Sequence, residues 1–177
     1  MTARAGAIEK VQPKESVDWD AIYAAYLPRV YNFFRYRIGP GPQAEDLTAA
    51  TFEKAWRARQ SYRRDLAAFS TWLFTIARHI ASDYLRRRAP EVPLDALSEQ
   101  AGDATPEEHA AKRADVELLA LLLADLDTLQ RELLALKYGA GLTNREIAKL
   151  VNLSESNVGT ILFRLVRELR ARWEEKQ

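Results

Sequence analysis

Two helix starts flank a three-residue turn near the C-terminus, and this spacing constrains the fold more than any other feature of the chain. Thr143-Asn144-Arg145-Glu146 is a capping box. The Thr143 hydroxyl suits the Glu146 N–H, and the Glu146 carboxylate suits the Thr143 N–H. Leu142 and Ile147 are placed as a hydrophobic staple around it. The spacing predicts a helix over 144–151, the turn Asn152-Leu153-Ser154, and a second helix from Glu155 with Ser154 as N-cap and Leu153 and Val158 as a second staple. Two capped helices joined this tightly follow the plan of a helix-turn-helix. Ile147, Ala148, Val151, Leu153 and Val158 are the small or apolar residues that a close helix crossing needs. Asn152 stands where a left-handed residue is required, and Asn tolerates that conformation second only to Gly.

The last helix divides into two faces. Val158, Ile161, Leu162, Leu165 and Leu169 make the buried side. Ser156, Asn157, Gly159, Thr160, Phe163, Arg164 and Arg167 make the exposed one. Hydroxyl, amide and guanidinium groups can grip base edges or phosphates, and the helix N-terminus favours a phosphate. The same face would also suit a solvated protein-binding hairpin; DNA recognition is the stronger reading. Gly159 lies mid-helix at a cost of about 1 kcal/mol relative to Ala. Close approach of DNA or simple tolerance would account for it equally.

The charge of the 177-residue chain looks at first as if it opposes DNA binding: 26 Lys and Arg against 25 Asp and Glu. Segregation changes that picture. Residues 1–90 hold 15 basic and 9 acidic side chains, residues 91–127 hold 2 and 10, and residues 128–177 hold 9 and 6. The pattern is basic, acidic, basic, and the acidic segment is expected to compete for the basic faces and weaken DNA binding by the free chain. Without cysteine the chain has no disulfide, thiolate zinc site or catalytic thiol, and a reducing cytosol fits. No apolar run approaches the roughly 20 residues of a membrane span, so membrane insertion is not expected. The first 16 residues lack a signal-peptide core.

Apolar spacing is helical almost throughout, which predicts an all-α fold. Asp18 caps a first helix carrying Trp19, Ile22, Tyr23, Tyr26 and Leu27. Pro28 is expected to open a second helix, with Val30, Phe33 and Phe34, which stops at Gly39-Pro40-Gly41-Pro42. A third runs over about 43–59 with Leu47, Ala50, Phe52, Ala55 and Trp56 on its apolar face. After the basic loop 61–65, a fourth runs over about 69–88. Its expected buried stripe is Phe69, Trp72, Leu73, Ile76, Ile80 and Tyr84, and its expected outer face is Thr71, Thr75, Arg78, Ser82 and Arg86. Thr105-Pro106-Glu107-Glu108 reads as a helix start before a Leu-rich helix through Leu118, Leu119, Leu122 and Leu126. Another helix spans about 128–137 and stops at Gly139-Ala140-Gly141. The organisation expected is a flexible tail over 1–17, a helical domain over 18–89, a flexible acidic linker over 90–111 and a helix-turn-helix domain over 112–177.

The first domain sets Tyr62, Phe69 and Trp72 among Arg63, Arg64, Arg78, Arg86, Arg87 and Arg88. Aromatic platforms in a basic groove suit single-stranded nucleic acid. Taken singly, Phe69 and Trp72 read as core, and the arginines at 86–88 as an ordinary helix end. Here the sequence resembles a family. Asp46-Leu47-Thr48, Thr51-Phe52, Ala55-Trp56, the run Phe69 to Arg78, and Asp83-Tyr84-Leu85-Arg86-Arg87 resemble region 2 of bacterial sigma factors. Glu146-Ile147-Ala148, Leu153-Ser154 and Asn157-Val158 resemble region 4. The short linker points to the extracytoplasmic-function (ECF) group, and the likeness covers nearly all of 18–173.

The resemblance implies a sigma factor that binds core RNA polymerase at the β′ clamp and β flap and directs initiation at promoter DNA. It implies clamp contacts at Asp46, Phe52 and Trp56. It implies capture of the melted −10 strand by Arg63, Arg64, Phe69, Arg78, His79 and Arg86. It implies reading of the −35 duplex by Ser156, Asn157, Thr160, Arg164 and Arg167. The linker would lie in the polymerase's RNA channels, where its acidity could mimic nucleic acid. An anti-sigma protein that clamps both domains is the partner implied, since no further regulatory domain follows; no cofactor is. His79 stands where the family commonly has Asn, and Asn152 where it commonly has Gly.

Two rival readings remain. A stand-alone repressor would dimerise through the Leu-rich helix and bind a palindrome, but it leaves the aromatic, basic domain unexplained. An enzyme would have little to work with. His79 and His109 are the only histidines; His79 and Asp83, four apart on a helix, could form a pair or a metal fragment but read better as a surface hydrogen bond, and no phosphate-cradling Gly loop or nucleophile motif appears.

Overall fold

The computed structural model describes residues 18–63, 67–87, 118–119 and 121–176. The expected tail, the linker, the Thr105 helix start, Arg64, Arg88 and His109 lie outside them. The described residues are helical, without strands. They form α1 (Trp19–Arg37), α2 (Pro42–Ala58), a 3-10 turn (Arg59–Ser61) and α3 (Phe69–Arg87). A helical stretch over 121–124 leads into α4 (Thr128–Leu134), which widens into a π turn (Ala135–Gly139). Then come α5 (Asn144–Val151) and α6 (Glu155–Glu174). Helices α1 to α3 make the first domain, and α4 to α6 the second.

Pro28 does not open a second helix. It sits inside α1, which runs unbroken from its Asp18 cap to Arg37. The Asp18 carboxylate accepts from the N–H groups of Asp20 and Ala21 at 3.1 and 3.0 Å. Proline inside a helix costs about 3 kcal/mol, because one i→i−4 bond is lost and the ring crowds the preceding turn. Val30, Phe33 and Phe34 follow on one stripe and are fully buried. Each such burial gives about 1.5–3 kcal/mol, so the three together outweigh the proline. The helix ends where expected. Gly39 and Gly41 both have φ of 118°, a backbone region that side chains with a Cβ rarely enter, and Pro42 opens α2.

The buried side of α3 is wider than its apolar stripe. Leu73 and Ile76 are buried as expected, joined by Ser70, Phe74, Ala77 and Ala81. Phe69, Trp72, Ile80 and Tyr84 are only half-buried. On the expected outer face, Ser82 and Arg86 are exposed, but Thr71, Thr75 and Arg78 are not. The reason is tertiary: α5 packs against α3 on that side. The most extensive contact between elements also joins the two domains, and it lies between α1 and the π turn. One cluster of buried apolar side chains runs through both domains, from Phe34 and Phe74 to Leu136, Ile147 and Leu165.

Candidate nucleic-acid interface

The helix-turn-helix forms as its caps dictate. The Thr143 hydroxyl accepts from the Glu146 N–H at 3.2 Å, and the Thr143 N–H donates to Glu146 Oε2 at 2.9 Å. Leu142 and Ile147 are both buried. Asn152 is the one non-glycine residue with positive φ among those described, at 56°. Ser154 caps α6 by accepting from the Asn157 N–H at 3.1 Å. Val158, Leu162 and Leu165 are buried, with Ile161 and Leu169 half-buried beside them.

On the other side of α6, Ser156, Asn157, Thr160, Phe163, Arg164 and Arg167 are all exposed. The Arg167 guanidinium lies 5.8 Å from the Phe163 ring centre. Phe163, Val166 and Arg167 also line an open groove of about 270 Å³ with Lys137, Tyr138 and Arg170. A Cβ at Gly159 would lie 3.3 Å from Asn144 Nδ2, so a larger residue there would require the Asn144 side chain to give way at the crossing of α5 and α6.

The first domain holds its candidates differently. Phe69 sits at the hub of an aromatic cluster, edge-on or tilted to Trp19, Tyr26, Tyr62 and Trp72 at 5.2–6.0 Å. Such ring pairs add about 0.5–1.5 kcal/mol each beyond burial. Arg63 and His79 are exposed. Arg86 is exposed and paired to Asp83 at 2.7 Å, so Asp83 serves Arg86 and the sequence-level pairing with His79 is replaced. Among the described residues no group of three or more His, Cys, Asp or Glu is arranged to hold a metal ion.

On α2, Asp46 is exposed and Trp56 is 48% exposed. The Trp56 ring is edge-on to Trp19 at 5.4 Å and covered by the Arg59 guanidinium at 4.0 Å. Phe52 is buried, its ring 4.7 Å from Tyr23. It therefore supports this face from beneath and is not part of the surface.

Arg78 is where the sequence reading and the structure diverge most. Its Nε donates to Glu132 Oε1 at 2.6 Å, and its Nη1 to the Leu150 carbonyl. Both acceptors belong to the second domain. Three further interdomain contacts surround that pair. Arg29 Nε donates to the Ala140 carbonyl at 2.7 Å, and the Ser70 hydroxyl donates to Glu146 Oε1 at 2.6 Å. A Cβ on Gly139 would lie 2.8 Å from the Asn32 carbonyl oxygen, so the two backbones touch. Burial acts to raise the pKa of Glu146. The hydrogen bonds from Ser70 and Thr143, with the Arg29 charge, outweigh it and hold the carboxyl below its usual range. The sequence reading missed Arg29, Ser70 and Glu132 as interface residues. A charge at Arg29 or Glu132 and a hydroxyl at Ser70, each on an otherwise ordinary helix face, are features shared by every solvated helix.

The comparisons with known proteins agree with this architecture. The profile for Sigma-70 region 2 matches residues 22–91, and that for Sigma-70, region 4 matches residues 117–169. The ECF RNA polymerase sigma factor SigM of Bacillus subtilis is 32% identical over 155 residues, covering 86% of this chain and 93% of SigM. The ECF RNA polymerase sigma factor BldN of Streptomyces coelicolor is 28% identical over 165 residues; the match takes in 92% of this chain but only 62% of BldN. Among solved structures, the sigma factor RpoE in complex with the anti-sigma factor NepR from Bartonella quintana has a TM-score of 0.68 at 20% identity, covering 90% of this chain and 99% of that one. CnrH in complex with the cytosolic domain of CnrY has a TM-score of 0.62 at 24% identity, covering 90% and 87%. At those identities the structures speak for the fold alone.

Two helical domains, one ending in a helix-turn-helix with an open polar face, define a DNA-reading protein of bipartite design. The chain belongs to the ECF group of the sigma-70 family. It is a promoter-recognising alternative sigma factor that directs the initiation of transcription. That family consists of transcription regulators, not enzymes. Among the described residues no helix is long and apolar enough to cross a membrane.

Proposed function

We propose that the docked arrangement of the two domains is the resting form of this sigma factor and that polymerase must separate them. In this reading Asp46 and Trp56, supported by Phe52, meet the β′ clamp of core polymerase. Arg63, Arg64, Phe69, Arg78, His79 and Arg86 take the melted −10 strand. Ser156, Asn157, Thr160, Arg164 and Arg167 read the −35 duplex, and the groove beside Phe163 and Tyr138 receives the β flap. The observation that carries the reading is the difference in availability: Arg78 is tied to Glu132 and the Leu150 carbonyl, while the α6 face is open.

The docked arrangement is also what an anti-sigma protein would hold. RpoE is described in complex with the anti-sigma factor NepR and CnrH in complex with the cytosolic domain of CnrY, which supports a similar partner here. The chain acts in the cytoplasm, where polymerase and promoters are.

The test is run-off transcription by purified core polymerase with and without the chain. Discrete promoter-directed products should appear only when it is added. Tight binding to duplex DNA with no initiation on any genomic fragment would overturn the reading.

A further inference from the structure

Among the described residues, three guanidinium groups and one carboxylate meet where α1, α3 and α4 converge: Arg37, Arg78, Arg131 and Glu132. Arg78 takes Glu132. Arg37 is only 5% exposed, and its Nε is buried with no acceptor. Arg131 Nε is likewise buried without an acceptor, while its Nη2 donates to the Ala124 carbonyl at 2.9 Å. Burial lowers the pKa of Arg37; Glu132 raises it, and Arg131 and Arg78 push it further down. Two buried N–H donors without partners, in a cluster with excess positive charge, are the complement of an oxyanion.

Both arginines line a crevice of about 320 Å³ together with Ser82, Leu85, Leu126 and Thr128. Two hydroxyls can add hydrogen bonds to a carboxylate, and two leucines can cover its aliphatic stem. The chain itself supplies the acid. In sequence, residues 88–117 connect α3, which carries Leu85, to the helical residues that precede Leu126, and both leucines line the crevice. It holds eight carboxylates against three cationic side chains, and Glu91, Asp95 and Glu99 alternate with Val92, Leu94 and Leu97.

We infer that this crevice is a carboxylate-binding site for the acidic segment 88–117 of the same chain. Arg37 belongs to the first domain and Arg131 to the second. One carboxylate shared between them ties the domains together and makes the acidic connector a part of the closed form. Segment and crevice separate when the domains do.

The test uses the full chain and leaves the arginines intact, since Arg37→Ala removes a buried side chain from the junction. All eight carboxylates of the segment are converted to their amides, and the Nε–Hε signals of Arg37 and Arg131 are followed by NMR. Both signals should shift, and their hydrogen exchange should accelerate by about tenfold or more. Millimolar inorganic phosphate should then slow exchange in the amide variant and leave the unaltered chain unchanged. Identical exchange in the two proteins would overturn the inference. So would phosphate protecting the unaltered chain as strongly as the variant, which would make the crevice a site for free anions.

Discussion

The two surfaces proposed to face DNA are held in opposite states. On α6 the side chains of the proposed −35 surface stand open, and their positions depend on caps and staples within a few residues of them. On α3 the central cation, Arg78, is bonded to the other domain. Local sequence therefore specifies one surface, and the docking of distant segments governs the other. On the proposed reading the difference sets an order of events: duplex contact is available to the closed chain, and strand capture waits for opening.

Substitutions can break this contrast in graded steps. The largest effect is expected from Glu132→Gln, which leaves three guanidinium groups without their carboxylate. Removing one partner of a largely buried pair costs about 3 kcal/mol. The radius of gyration should rise in small-angle scattering, and binding to single-stranded −10 DNA should strengthen as Arg78 is released. An unchanged radius would show that the pair does not hold the domains.

Gly139→Ala should weaken docking by about 2 kcal/mol, because the new Cβ meets backbone that has little room to move. Scattering again reads the result, and a compact variant would argue against the contact of α1 with the π turn. Arg164→Ala sharpens the other side of the contrast. It should leave the radius unchanged and cost about 2 kcal/mol of binding on promoters that carry a −35 element. Equal loss on a template without that element would remove Arg164 from the reading surface.

Thr143→Ala should lower the stability of the second domain by about 1 kcal/mol in thermal unfolding, through loss of the cap. The smallest effect concerns pH. The Glu146 carboxyl lies below its ordinary value in the folded chain. Its contribution is therefore fully present above that value and fades as pH falls through the lowered one. Docking followed by scattering should weaken over that acidic range, and Glu146→Gln should flatten that part of the profile. An unaltered profile in the variant would place the pH dependence elsewhere.

The legibility of the sequence follows the same division. The α5–turn–α6 unit was readable almost residue by residue, down to the left-handed Asn152, because each signal acts within one or two helical turns. Pro28 departs from its local rule because the three buried side chains beyond it decide the outcome. The outer face of α3 departs from its pattern for a related reason: Arg78 is bonded to the second domain, which the pattern of a lone domain does not include. Arg37 and Glu132 gave no warning at all. Their burial depends on an encounter between segments about a hundred residues apart in the chain.

The single apolar cluster running through both domains has a thermal consequence. Separating the domains wets side chains that the closed form keeps dry, so opening raises the heat capacity of the protein. A closure built on apolar contact is weakened by cooling, since its driving force near room temperature is largely entropic. On the proposed reading, temperature thus acts on the same equilibrium as polymerase, and a cold solution moves this chain some way toward the form proposed to capture a melted strand.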